Sequence, residues 1–144
     1  MDTRFSSAIH TLILISEAET PMTSEEIAIS VGTNASYIRK LTGMLKRQDI
    51  IDSRQGAKGF RLKVAPQKLS LYRIYQAVSD AEQVHIFDLH QNPNDSCIVG
   101  RHIRPVLSEI FFGLEKEIEE ELGAQTLADC IDRMRKEIPF GYGK

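Results

Sequence analysis

Residues 32–48 read GTNASYIRKLTGMLKRQ and place Ile38, Leu41, Met44 and Leu45 three or four positions apart. That is the period of a helix with one buried stripe. The same stretch gathers Ser36, Tyr37, Arg39 and Lys40 at its start. A short helix of this kind must pack on other elements along one side and stay open along the other. Thr33 or Asn34 can cap it. Just upstream, Thr23-Ser-Glu-Glu26 has the form of a capping box. It opens a helix with Ile27, Ala28 and Val31 on one side, and Gly32 can end that helix in a left-handed turn. Two short helices joined by a tight glycine turn form either a helix-turn-helix or an ordinary helical hairpin.

The flanking segments favour the first. Phe5, Ile9, Leu12, Ile13 and Ser16 predict an amphipathic helix over residues 4–18, broken by ETPMT. IIDSRQ and GFRLKV flank QGAKG, the pattern of a β-hairpin with glycines at its turn. Arg54, Lys58 and Arg61 lie at its tip and flanks, and Pro66 closes it. Ser70 then caps a helix with Leu71, Ile74, Tyr75 and Val78 on one face. Helix, helix, turn, helix and hairpin is the order of a winged helix-turn-helix. The expected fold is mainly α with a small β-hairpin wing, the winged domain occupying residues 1–80.

Residues 81–144 are expected to form a linker, a long helix and a short terminal helix. VHIF is a short strand or a helical turn, and QNPNDS a loop. The long helix starts at about Ile98 or Arg104, with Pro105 near its first turn or kinking it. Ile103, Val106, Leu107, Ile110, Phe111, Leu114, Ile118 and Leu122 form an apolar stripe backed by a glutamate-rich face. A stripe this long in a small chain calls for a helix from a second subunit, or else for its own domain. Gly123 is expected to end that helix, and Thr126 to cap the last one, TLADCIDRMRKEI.

Charge is unevenly distributed. The 144-residue chain has a net charge of −2 and a pI near 6.1, which alone does not favour nucleic acid. Yet residues 36–63 carry Arg39, Lys40, Lys46, Arg47, Arg54, Lys58, Arg61 and Lys63 against only Asp49 and Asp52. A local basic face on an acidic chain is what a polyanion recognises. Phosphates are held by cations and helix N-terminal amides, and base edges by short donors and acceptors. Ser36, Tyr37, Arg39 and Lys40 offer both kinds of group, and Arg54 and Lys58 beside Gly56 and Gly59 allow a close approach by the wing. Each cation can also be a solvated surface residue; that is the preferred reading for Lys46 and Arg47, which suit the helix dipole, whereas DNA contact is preferred for Arg39, Lys40 and Arg54. No apolar run reaches membrane-spanning length, and the polar start MDTRFSS does not resemble a signal peptide, so a cytoplasmic protein is expected.

GTNASYIRKLTGMLKRQDIIDSRQGAKGFRL resembles the helix-turn-helix and wing of the Rrf-two (IscR/NsrR/CymR-type) family of bacterial transcription regulators. CIVGRHI, the long helix and TLADC resemble its later segments, so the resemblance spans residues 1 to about 131. It implies a homodimer on a partly palindromic DNA operator. The long helix around 104–122 would make the dimer with help from the first helix, and the helix starting at Ala35 would enter the major groove. The implied DNA-contacting set is Thr33, Asn34, Ser36, Tyr37, Arg39 and Lys40, with Arg54 and Lys58 from the wing. Two departures stand out: Asp49 occupies a place where many relatives have glycine, and GAKG is a poorer glycine run at the wing tip.

Iron–sulfur members of that family carry three close cysteines before the long helix. Here that region holds Cys97, with His85, His90 and His102 nearby. One thiolate is a poor donor set for a cluster, so no cofactor is expected. Cys97 adjoins Arg101, His102 and Arg104 at the expected helix start, a setting that favours a reactive thiolate and an oxidant-sensing role. The plain alternative is a small buried side chain. For Cys130 packing is expected. The reading is a dimeric DNA-binding regulator, a repressor, with a thiol or small-molecule input. The alternative is a winged-helix adaptor for a protein partner. No nucleotide loop, paired metal ligands or nucleophile–base context suggests an enzyme.

Overall fold

A computed structural model describes residues 2–53, 59–79 and 81–138, and among these it shows six α-helices, one short 3-10 turn at Pro66–Lys68 and one hairpin. The helices are α1 (Arg4–Glu17), α2 (Ser24–Val31), α3 (Ala35–Arg47), α4 (Leu71–Ser79), α5 (Ile98–Ala124) and α6 (Leu127–Glu137). Strands β1 (Ile51–Ser53) and β2 (Phe60–Leu62) pair antiparallel, with Ile51 opposite Leu62 and Ser53 opposite Phe60. The fold is the mainly α, winged arrangement expected from the sequence.

The core follows from the apolar periods. Ala8 and Leu12 of α1, Leu41 and Leu45 of α3, Ile50, Ile51, and Ile74 and Val78 of α4 form one buried cluster. Ile27, Ala28 and Ile38 form a second between α2 and α3, and Tyr37, Ile15 and Phe60 pack on both. The buried hydroxyls are satisfied locally: Thr11 donates to the Ser7 carbonyl at 2.8 Å and Thr42 to that of Ile38 at 2.9 Å. Helix α6 returns to the same core, burying Leu127 and Ile131 beside α1 and α4.

Among the described residues regular pairing covers three positions on each side, and Arg54 and Gln55 of the expected first strand lie outside the described residues. The Lys63 amide adds one bond to the Ile50 carbonyl at 2.9 Å. Gly59 sits at φ +118°, and a Cβ there would fall 2.4 Å from Pro21 Cβ. Only glycine lets the wing base close on the α1–α2 loop. Asp49 explains its own oddity: it holds a left-handed φ of 58° at the turn into β1, the conformation glycine adopts most easily. Its carboxylate accepts from Lys63 Nζ at 3.2 Å.

Two features differ from expectation, the VHIF segment and the end of the long helix, while the long helix takes the earlier of its two expected starts. VHIF takes neither strand nor helix, because carboxylates on α5 capture its amides. Val84 N–H donates to Glu119 Oε1 at 2.8 Å, and Ile86 and Phe87 both donate to Glu115 Oε2 at 2.5 and 3.1 Å. The long helix starts at Ile98 rather than Arg104, with Pro105 inside it beyond the first turn. It runs past Gly123 to Ala124. What stops it is tertiary: Leu71 N–H donates to the Gln125 carbonyl at 2.9 Å and Leu127 N–H to that of Leu69 at 2.8 Å. Thr126 and Asp129 then form the capping box of α6.

Candidate nucleic-acid interface

Helix α3 is held by three local devices, each visible in its residues. Thr23 and Glu26 close the capping box of α2. Gly32 turns the chain at φ +83°. Asn34, not Thr33, caps α3, its Oδ1 accepting from the Tyr37 amide at 2.8 Å. Thr33 belongs to the turn, donating its own amide to the Ala28 carbonyl at 3.0 Å. With Ile38, Leu41, Thr42, Met44 and Leu45 buried, the opposite face is left to Ser36, Arg39, Lys40, Gly43, Lys46 and Arg47.

The structure brings Ser36, Arg39 and Lys40 together on this open face at the start of α3. Asn34 is also exposed, so it can meet a partner while it caps the helix. Tyr37 is half-buried and packs against both core clusters, which makes it chiefly an anchor for α3. Arg54 and Lys58 lie outside the described residues.

Three side-chain pairings were not expected from the sequence. Arg39 Nη1 donates to Glu25 Oε1 at 3.1 Å across the turn, with 56% and 65% of the two side chains exposed. Lys46 Nζ stands 5.5 Å from the centre of the Phe60 ring, tying α3 to the wing. Arg61 pairs across the hairpin with Asp52 at 3.5 Å, so its charge is partly answered within the wing. An open groove of about 650 Å³ runs between the start of α2, α3 and the wing base, lined by Thr23, Glu25, Arg39, Gly43, Lys46 and Phe60 among others. Spacing within one helix shows which face is open; nothing in it marks a partner fourteen positions away.

The second candidate site lies at the start of α5. Cys97 is the N-cap residue of that helix and is exposed, so it is not a buried apolar side chain. Its thiol makes no full capping bond, yet the amides of Gly100 and then Val99 point at it and lower its pKa. The cations expected to do this are engaged elsewhere. Arg101 Nε donates to the Asp95 carbonyl at 3.0 Å and Arg104 Nη1 to that of His90, while His102 Nδ1 bonds the Ile98 carbonyl at 2.8 Å. Cys130 is half-buried against the core, and burial pushes its thiol up.

Family comparison agrees with this architecture. Residues 1–133 match the family model described as Rrf2, iron-dependent transcriptional regulator. The chain belongs to the Rrf2 family. It is 39% identical over 134 residues to YwnA of Bacillus subtilis (strain 168), described as an HTH-type transcriptional regulator, covering 93% of this chain and 98% of the relative. A crystal structure described as a DNA-binding protein superposes with a TM-score of 0.72 at 38% identity, covering 89% of this chain and 98% of that one. T. potens IscR shares the fold with a TM-score of 0.72 at 20% identity, over 99% of this chain and 93% of its own. The chain is thus a DNA-binding transcriptional regulator of this family, not an enzyme.

The iron in the family description finds a poor donor set here. The chain has two cysteines, one exposed at the α5 cap and one packed on the core. His85 is engaged by Asp88 at 2.6 Å. Among the described residues no group of three His, Cys, Asp or Glu side chains is placed to hold a metal ion. Clusters draw on several thiolates, and these residues do not fit one.

Proposed function

We propose that the protein is a homodimeric, sequence-specific repressor in the cytoplasm that reads a partly palindromic operator with α3 and the wing. One observation carries the reading: α3 buries one stripe completely and leaves Ser36, Arg39 and Lys40 grouped at its open N-terminal end, beside the hairpin. Short polar groups and cations at a helix start serve base edges and phosphates together. In this reading residues 1–80 make the DNA-binding unit and residues 81–144 carry the dimer helix.

The dimer is supported by α5, which has no buried residue within its own chain. Val106, Ile110 and Phe112 are each at least half exposed on it. Phe111, by contrast, stacks on Phe87 at 5.1 Å, so only part of the expected stripe is left for a partner. A second apolar surface lies between α1 and α6, lined by Phe5, Ile9, Ile13, Met134 and Ile138. Apolar faces of this extent are covered in solution by association.

The test is fluorescence anisotropy of the reduced protein on DNA from upstream of its own gene, across a salt series. Tight, sequence-dependent binding is expected, with log affinity falling by about 0.9 per neutralised phosphate for each unit of log salt. Equal affinity for unrelated duplexes would sink the reading.

The input is proposed to act at Cys97. The thiolate sulfur attacks one peroxide oxygen and breaks the O–O bond, giving the sulfenic acid and a hydroxide or alkoxide that takes a proton from solvent to leave as water or an alcohol. At the α5 cap this new group changes the junction between the dimer helix and the winged domain. Cys97→Ser should bind DNA normally and ignore peroxide; a surviving response would place the sensor elsewhere. A second input, a small molecule, is favoured by the cavity of about 470 Å³ where Gln83, Phe87 and Leu89 face Arg104, Ser108 and Phe112. A compound that alters DNA affinity equally in Cys97→Ser would support that site, and failure to bind Arg104→Ala would confirm its place.

A further inference from the structure

Gly43 lies inside α3, on the open face one turn beyond Arg39 and Lys40 and one turn before Arg47. Glycine is a poor residue for a helix interior, because it loses the most backbone freedom and contributes no side chain. Such a residue usually has a reason in the fold: a positive φ, or a neighbour that leaves no room for a Cβ. Gly43 has neither. It shows no left-handed φ, and among the described residues a Cβ built on it meets only Arg47 Nη1, at an ordinary contact distance of 3.6 Å. Gly59, by comparison, is held to glycine on both counts, by its φ of +118° and by Pro21. Alanine would therefore fit at position 43 without strain, and the fold should be as stable or more so.

The groove supplies the missing reason. Gly43 lines the open channel of about 650 Å³ between α2, α3 and the wing, where Arg39 and Lys46 project and Glu25 stands at one wall. We infer that Gly43 is a positioning residue for DNA: its bare backbone lets α3 sit deeper in the major groove, so that Ser36, Arg39 and Lys40 reach base edges. Short side chains reach bases only when the helix axis is close to them. A methyl group at the centre of the contact face would lift the helix and lengthen those contacts, while phosphate attraction, which acts over a longer range, would survive. The glycine trades helix stability for close approach. The inference rests on the DNA-binding reading above.

The experiment uses the full-length chain and two duplexes: the sequence the unmodified protein selects from a random pool, and a random duplex of equal length. Gly43→Ala and Gly43→Leu are compared with the unmodified protein by anisotropy and by urea denaturation. The expected result for Gly43→Ala is an equal or higher denaturation midpoint, an unchanged affinity for random duplex at low salt, and an affinity for the selected duplex weaker by about tenfold or more, the scale on which one disturbed base pair registers. Gly43→Leu should lose more on the selected duplex. Normal selected binding by a stable Gly43→Ala protein would overturn the inference and leave the regulator reading intact. A lowered midpoint would overturn it too, because the glycine would then serve the fold. If the unmodified protein selects no sequence at all, the regulator reading itself fails and takes this inference with it.

Discussion

Glu25 should restrain DNA binding by occupying Arg39. The two side chains meet at 3.1 Å, yet each is more than half exposed. An exposed pair of this kind contributes about 0.5 kcal/mol, so it is closed roughly two-thirds of the time and leaves Arg39 free for about one-third. Population arithmetic then makes the loss of Glu25 worth about threefold in affinity for each protomer, or about tenfold for a dimer. Glu25→Gln should therefore tighten DNA binding by about that amount at low salt, with the gain fading at high salt. Arg39→Ala should act the other way and reduce the salt slope by about 0.9 per protomer if the side chain meets a phosphate. Removing a negative charge near DNA also helps by simple repulsion, and a double-mutant cycle separates the two effects. Only the competitive part should vanish when Glu25→Gln is placed in the Arg39→Ala background. Glu25 also favours the α2 dipole at its first turn, so a small stability loss, up to about 1 kcal/mol, should accompany the substitution in urea titrations. If Glu25→Gln and Arg39→Ala both weaken binding, Glu25 orients Arg39 for the DNA and the competition argument is refuted.

Asn34→Ala removes the bond from Oδ1 to the Tyr37 amide and should cost about 1 kcal/mol of stability, read as a lowered urea midpoint; no change would mean the turn alone sets the start of α3. Asp49→Gly relieves the left-handed backbone but gives up the exposed pair with Lys63, so a net gain of up to about 1 kcal/mol is expected, and a loss would show that the pair dominates. Ile110→Glu on the exposed face of α5 should yield monomers by sedimentation and abolish tight operator binding; an intact dimer would move the interface off that face. The bond to Asp88 raises the pKa of His85, so its protonated form is favoured when the 85–88 segment is folded. That contribution is present below the ordinary histidine pKa and fades as pH rises through the raised value. Amide exchange in residues 84–88 should therefore quicken over that range in the native protein beyond its intrinsic pH dependence, and the extra increase should be absent in Asp88→Asn.

The parts of the fold that were legible in the sequence are those whose causes lie within a few residues. The Thr23–Glu26 box, the Gly32 turn and the apolar period of α3 each join positions at most four apart, and each stands as expected. The errors fall where the deciding partner is remote. Gly123 has a plausible stop residue's identity, but α5 ends where Leu69 and Leu71 pair with Leu127 and Gln125 across more than fifty positions. VHIF stayed ambiguous because its amides belong to Glu115 and Glu119, both from the glutamate-rich run of the long helix. The candidate site divides in the same way. Which face of α3 is open could be read from its buried stripe, whereas Glu25 on Arg39 and Phe60 under Lys46 depend on how α2 and the wing fold back. At Cys97 two causes were expected to lower the thiol's pKa, the helix start and the nearby cations, and it is the helix start that acts. Sequence proximity suggested that Arg101 and Arg104 would favour the thiolate, but both spend their donors on carbonyls of the preceding loop. The amides of Gly100 and then Val99 lower the thiol's pKa, as a consequence of α5 beginning at Ile98. The acidity of that thiol therefore follows from where the long helix starts, so a change that unwinds its first turn should raise the Cys97 pKa, read as a shift in the pH dependence of its alkylation.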